Sequence, residues 1–273
     1  MALCFFIWPV LWVGRDAFYF TDPFGLHRRF AGFQNILEVL SEPSYLHALG
    51  TTAILVLGIT ILTLSLGLGL AILLQEVSRG RTLYKMLLIW PYAVAPAIAA
   101  VLWRFLLHPS FGWIQQILHP FQIQLNYLTH ANQALLLIIG ISVWQQLSYN
   151  VLFFFVALEA LPKSLTEAAM LDGASLWQRF WRIRLPILRP TCYFLILMNS
   201  LYAFFDTFPV IDILTAGGPG NRTTTLLYKL YKDGLMGMDT PSAAVQSLAF
   251  MLIVSCCVGF QFHFLNKGRH ETK

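Results

Sequence analysis

Four stretches without a single Asp, Glu, Lys or Arg (residues 50–74, 86–103, 134–158 and 242–262) decide most of what this chain can fold into. Each runs about 18–25 residues, enough at helical rise to cross a hydrocarbon core of about 30 Å. A fifth stretch, 191–214, is interrupted late by Asp206 and Asp212. The chain is 57% hydrophobic and 11% charged, against about a quarter charged in a soluble domain. The expected fold class is therefore all-α, a polytopic transmembrane helical bundle occupying residues 1–273 as one domain.

Charge sets the orientation. If the spans alternate, one set of loops holds Arg79, Arg81, Lys85, Lys163, Arg179, Arg182, Arg184, Arg189, Lys267, Arg269 and Lys273. The other set holds only Arg15, Arg28, Arg29, Arg104, Arg222, Lys229 and Lys232. The richer side is expected to be cytoplasmic, which places 162–190 and the C-terminus inside. The net charge of +5 flanks apolar spans rather than forming a patch, so it argues for a bilayer and against nucleic acid. The few residues before Arg15 are too short for a span and lack the basic start and cleavage site of a signal peptide. They read as the outer half of a truncated first helix, which gives six expected spans. Ser65/Gly69 and Ala93/Ala97 are candidate small-residue contacts between helices, and Pro91 and Pro96 are expected to break the third span.

The segment 162–190 carries the most information. Ser164 and Glu167 have capping-box spacing, Gly173 suits a left-handed stop, and Ser175 with Gln178 repeats the box. The second helix is expected to end at Pro186. Along it Trp177, Phe180, Trp181 and Leu185 share one face, so the unit reads as a helix–Gly–helix docking element.

The letters Glu167-Ala168-Ala169, then Asp172-Gly173, then Ile183-Arg184-Leu185-Pro186, resemble the EAA loop of bacterial ABC importer permeases. Pro91-Tyr-Ala-Val-Ala-Pro-Ala, Gln146-Leu-Ser-Tyr-Asn150 and the run from Tyr202 to Asp212 before Gly217-Gly-Pro extend the likeness. They are similar to the glycerol-3-phosphate branch of the maltose-type permease group. The resemblance implies a multi-pass bacterial inner-membrane permease for sn-glycerol 3-phosphate, or alternatively for an oligosaccharide or glycerophosphodiester. It also implies that Glu167, Ala168, Ala169, Asp172, Gly173, Ile183, Leu185 and Pro186 couple to an ATPase. The partners it implies are a second permease subunit, two ATPase subunits and an extracytoplasmic solute-binding protein. ATP and Mg would be bound by the ATPase, and this chain would carry no cofactor.

No ATP-binding motif is present, because Gly217–Thr223 lacks the GxxxxGK[ST] spacing. That loop is open to two readings, a tight turn or a contact for the binding protein. Polar residues at membrane depth are the pathway candidates: Gln145, Gln146, Tyr149, Asn150, Asn199, Tyr202, Asp206 and Gln246. For each, hydrogen bonding between helices competes with substrate contact. His108, His119 and His130 lack metal-ligand order, and Cys4, Cys192, Cys256 and Cys257 form no CxxC, so no metal site is expected. An intramembrane enzyme would need paired catalytic groups that the sequence does not offer, and an ion-coupled transporter would not need the EAA loop.

Overall fold

The computed structural model describes residues 2–21, 28–77, 79–122 and 125–270. It is helical apart from one short ribbon. In chain order come α1 (Ala2–Asp16), β1 (Tyr19–Thr21), β2 (Arg28–Phe30), α2 (Phe33–Ser41), α3 (Pro43–Glu76), α4 (Arg81–Ile89) and α5 (Pro96–Leu106). Then follow α6 (Trp113–Leu118), α7 (Ala131–Glu159), α8 (Lys163–Leu171), α9 (Leu176–Arg179), α10 (Leu185–Phe205), α11 (Phe208–Leu214), α12 (Leu226–Tyr231) and α13 (Thr240–His270). The ribbon pairs Tyr19 with Phe30 and Thr21 with Arg28, antiparallel.

Pro43–Glu76, Ala131–Glu159, Trp177–Leu214 and Thr240–His263 are long and apolar enough to cross a membrane. Arg81–Ala93 and Pro96–Leu106 form a further candidate span bent by 100°. Of the six expected spans, the first is present as α1, whose 15 residues are too few to cross alone. It packs on α13.

α3 and α7 form the central pair, with α10 packed against both and against α13. The close approach is made by Thr63, Gly67 and Ala71, four residues apart and buried. This corrects the Ser65/Gly69 expectation. Ser65 is exposed and its hydroxyl donates back to the Ile61 carbonyl of its own helix at 2.7 Å. Gly69 has open space around it. The Ala93/Ala97 pair is likewise split, because the helix breaks between them.

The break falls where the prolines require it. Pro91 sits in a 3-10 turn, Trp90–Ala93, and Pro96 opens α5 from an extended Ala95 (ψ 140°). Proline is tolerated in a first helical turn and disrupts an interior, so two prolines five apart permit two short helices rather than one long one.

Pro186 behaves differently from its expectation. The helix does not end there: α9 continues through a π-turn, Phe180–Arg184, into α10, which begins at Leu185 with Pro186 in its first turn. A proline ring clashes with the carbonyl four residues back, here Arg182, and lacks a donor for it. The wider i→i+5 turn before it is the helical form that accommodates the change in the hydrogen-bond ladder.

The core divides by depth. Leu55, Ile59, Ile138, Ile141, Tyr202 and Ile211 cluster together, and Ala71, Leu74, Val151, Phe154, Leu188 and Leu195 form a second group. Ile54, Leu57, Ile61, Leu66 and Leu73 remain exposed along the other face of α3. In a water-soluble protein such a stripe would be an interaction patch; on a spanning helix it faces lipid or another subunit.

Candidate functional sites

A cleft of about 440 Å³ opens at the break, lined by Tyr92, Val94, Pro96, Gln145, Tyr149 and Asp206 among others. The broken span gives it main-chain atoms that an intact helix would conceal. Gln145 donates from Nε2 to the Val94 carbonyl at 2.6 Å. That carbonyl precedes the extended Ala95 and lies outside α5. Irregular backbone at membrane depth persists only where protein or a cavity satisfies it, and Gln145 does so here. Tyr202 donates from its hydroxyl to Gln145 Oε1 at 3.0 Å, so both ends of the amide are used. Tyr92 stacks on Tyr149 at 5.6 Å between centroids, and Tyr149 leans on Phe153 at 4.6 Å. Asp206, the C-cap of α10, is exposed at the cleft. Among the described residues the lining offers amide, phenol and carboxylate groups but no Lys or Arg.

The other pathway candidates separate from these. Asn150 and Asn199 face each other across α7 and α10, each amide donating to the other's oxygen at 2.9 Å. Both are fully buried. Two amides paired head to head satisfy one another where no water reaches. Gly67 sits against this pair: a Cβ built there would lie 2.7 Å from that of Asn150. Gln246 is elsewhere, on α13, donating to Asp233 at 2.8 Å.

Asp233 belongs to a charged cluster that the sequence reading missed. Lys229 on α12 lies 2.8 Å from Asp233 and 3.2 Å from Glu42, at the junction of α2 and α3. Its side chain is only 9% exposed. Burial alone would depress the ammonium, but Asp233 and Glu42 outweigh it and hold Lys229 above its ordinary value. Next to it, Tyr228 donates to Asp212 at 3.2 Å; burial and that carboxylate push the phenol up to about 12. The only signal available in sequence was the i, i+4 spacing of Lys229 and Asp233.

The glycine-rich loop is tightly held. The Thr223 hydroxyl donates to the Gly218 carbonyl at 2.8 Å and meets the Thr215 hydroxyl at 2.9 Å. Thr51 and Thr52 of α3 bond to the Arg222 carbonyl and the Leu226 N–H. The tight-turn reading is therefore realised.

At the opposite end, α8 stops in a Schellman arrangement. Ala174 donates to the Ala169 carbonyl at 2.9 Å and Gly173 to the Met170 carbonyl at 3.1 Å, with Gly173 at φ +75°. Ser175 and Gln178 form the reciprocal box, at 2.9 and 3.3 Å. Pro162, extended at ψ 121°, takes the N-cap position expected of Ser164, which puts Ser164 inside the first turn. The Glu167 side chain lies outside the described residues. Ala168, Asp172 and Gly173 are exposed, and Ala169, Ile183, Leu185 and Pro186 are half-buried. Leu171 is 89% and Trp177 70% exposed. Trp181 meets Trp177 and Phe180 edge to face at 5.5 Å each, and Trp177 and Phe180 lie tilted at 6.3 Å. The unit is folded by its own backbone yet carries apolar side chains with little to cover them.

Comparison with known proteins fits this layout. Residues 63–269 match the model of a family described as binding-protein-dependent transport system inner membrane component. The chain is 44% identical to the sn-glycerol-3-phosphate transport system permease protein UgpA of Rhizobium meliloti, covering 99% of this chain and 92% of that one. It is 43% identical to UgpA of Salmonella typhimurium and 42% to that of Escherichia coli, each over 99% of this chain and 92% of the relative. A solved bacterial ABC transporter involved in the import of the acidic polysaccharide alginate shares the fold, with a TM-score of 0.83 at 22% identity. That match covers 97% of this chain and 91% of the other. A second structure, of the alginate transporter with an alginate pentasaccharide-bound periplasmic protein, gives 0.82 at 21%, covering 96% and 88%.

Proposed function

Because the chain belongs to the family of binding-protein-dependent transport system inner membrane components, we propose that it is the permease subunit of an ATP-driven importer of sn-glycerol 3-phosphate. The observation that carries the substrate is identity above 40% along nearly the whole chain to permeases of that name. The subunit acts as one transmembrane unit of the bacterial inner membrane, with a second permease, two ATPase subunits and an extracytoplasmic binding protein. ATP and Mg sit on the ATPase, and this chain carries no catalytic site. The exposed Leu171, Met170 and Trp177 support docking of 163–184 on a separate protein. There, Glu167, Ala168, Ala169, Asp172 and Gly173 form the coupling surface, and Ile183, Leu185 and Pro186 transmit its movement into α10. Closure of the ATPase dimer on ATP opens the pathway outward, and hydrolysis resets it.

Beside the paired Gln145 and Tyr202, the cleft supplies Tyr92, Tyr149 and Asp206 as hydroxyl-binding groups and, among the described residues, no cation. In this reading it holds the glycerol end, and the phosphate's counter-charge falls to the second permease. The same lack of a cation favours a neutral oligosaccharide or an esterified phosphodiester as the second reading. Uptake of labelled glycerol 3-phosphate by the reconstituted complex decides between them. Competition by unlabelled glycerol 3-phosphate but not by neutral sugars or glycerophosphodiesters is expected, and the reverse order overturns the assignment.

A further inference from the structure

The two halves of the broken span are attached to different partners. α4 packs on α7, where Arg81 pairs with Glu159 at 2.9 Å and Lys85 lies 4.1 Å from the centroid of the Phe155 ring. α5 packs chiefly on α11, and Arg104 donates to the Ile213 carbonyl at 3.1 Å. α11 is the far end of the apolar stretch Trp177–Leu214, whose near end leads directly into the helix–Gly–helix loop. A shift of that stretch relative to α7 therefore loads α5 more than α4, against the packing of Trp103 on Trp144 of α7. The strain falls on the Val94–Ala95 joint, where the turn closed by Val94 N–H on the Pro91 carbonyl at 3.2 Å ends and α5, opened by Ala99 N–H on the Ala95 carbonyl at 3.0 Å, begins. Among the described residues one hydrogen-bonded side-chain chain spans the joint, Tyr202 on α10 to Gln145 on α7 and Gln145 to the Val94 carbonyl. Beside it the Trp144 ring of α7 packs edge to face with Trp90 before the break and Trp103 after it. The amide orientation is fixed, since reversing it would place oxygen against the Val94 carbonyl oxygen.

We infer that the Pro91–Pro96 break is a working hinge, and that Tyr202 and Gln145 are positioning residues forming the latch that holds it in the conformation seen here. Movement of the loop reaches the cleft wall by releasing or remaking this latch. The inference rests on the importer reading only in requiring an ATPase at the loop; it is independent of the substrate. Spatial adjacency alone does not prove coupling, so the test is a double-mutant cycle read on movement and not on transport.

The assembled transporter, with copurification of the ATPase verified first, is prepared with the four native cysteines of this chain replaced by serine and Ala95→Cys introduced. Ala95 is exposed at the break. Maleimide labelling of position 95 is measured without substrate, with and without a non-hydrolysable ATP analogue. In the parent the analogue is expected to change the labelling rate several-fold. Tyr202→Phe, which removes one oxygen, is expected to abolish about fivefold of that response, the equivalent of one neutral hydrogen bond. Gln145→Met should do the same, and the double variant should be no worse than the stronger single one. A full response in Tyr202→Phe, additive losses in the double variant, or a parent that does not respond at all would each overturn the latch. If Gln145→Met does not assemble, Tyr202→Phe alone decides. Failure of glycerol 3-phosphate uptake touches the substrate proposal and leaves this result standing.

Discussion

Gly67 and Gly173 sit in two regions that use glycine for opposite reasons. At Gly67 the backbone is ordinary helix, and the constraint comes from outside: Asn150, from α7, occupies the space a methyl group would take. At Gly173 nothing lies within 4 Å, and the constraint is the residue's own φ of +75°. The first glycine serves a neighbour distant in sequence; the second serves its own turn. The junction at Gly67 is accordingly dense, with the Asn150 and Asn199 amides satisfying each other, whereas the loop holds its shape locally and leaves large apolar side chains exposed for another protein.

The comparison breaks first at the junction. Gly67→Leu is expected to wedge α3 from α7 and abolish assembly, and Gly67→Ala to cost about 1–3 kcal/mol by overpacking. Thermal unfolding of the purified complex reads both, and an unchanged midpoint in Gly67→Leu would refute the close approach. Next, Asn150→Ala leaves the Asn199 amide unpaired in the core, at about 1–3 kcal/mol. The double change Asn150→Ala with Asn199→Ala should cost less than the two singles together, which denaturation of all three variants checks.

On α12, Lys229→Met is expected to cost about 1–2 kcal/mol, below the value for a fully buried pair because Glu42 is half exposed to solvent. Since the folded lysine is held above its ordinary value, its contribution is complete below the unfolded value of about 10.4 and is lost as pH rises through the folded one. The parent should therefore lose stability on the alkaline side more steeply than Lys229→Met, a difference that pH-dependent unfolding resolves. The smallest effect on global unfolding is expected at Gly173→Val, whose backbone strain at φ +75° is confined to the loop and relieved there by local opening. Uptake should nonetheless be lost while unfolding barely moves. Retained uptake would remove the loop from the coupling role.

Legibility follows the same division. The Schellman stop at Gly173 and the Ser175–Gln178 box could be read from spacing because both are closed within about six residues. The broken third span was legible for the same reason, since proline acts on its own backbone. Spacing misled where two local signals competed: Pro162 took the cap from Ser164, and the π-turn carried the helix past Pro186. It also chose the wrong stripe on α3, because Ser65/Gly69 and Thr63/Gly67 are equally good small-residue pairs until a neighbour is present. Eight polar residues were flagged at membrane depth, but nothing in their order said that Asn150 and Asn199 pair with each other, that Gln145 serves Val94, or that Gln246 belongs with Asp233.

Taken alone, the amino-acid order determined a helical membrane chain, its long spans, the break at the two prolines and the glycine-stopped loop. Each of these depends on hydrophobic length or on backbone geometry within a few residues. Tertiary structure alone decided which face of α3 meets α7, which amides pair, and how Lys229 ties three segments together. Those depend on contacts between residues from 4 to more than 180 positions apart, whose partners are fixed only when the helices pack.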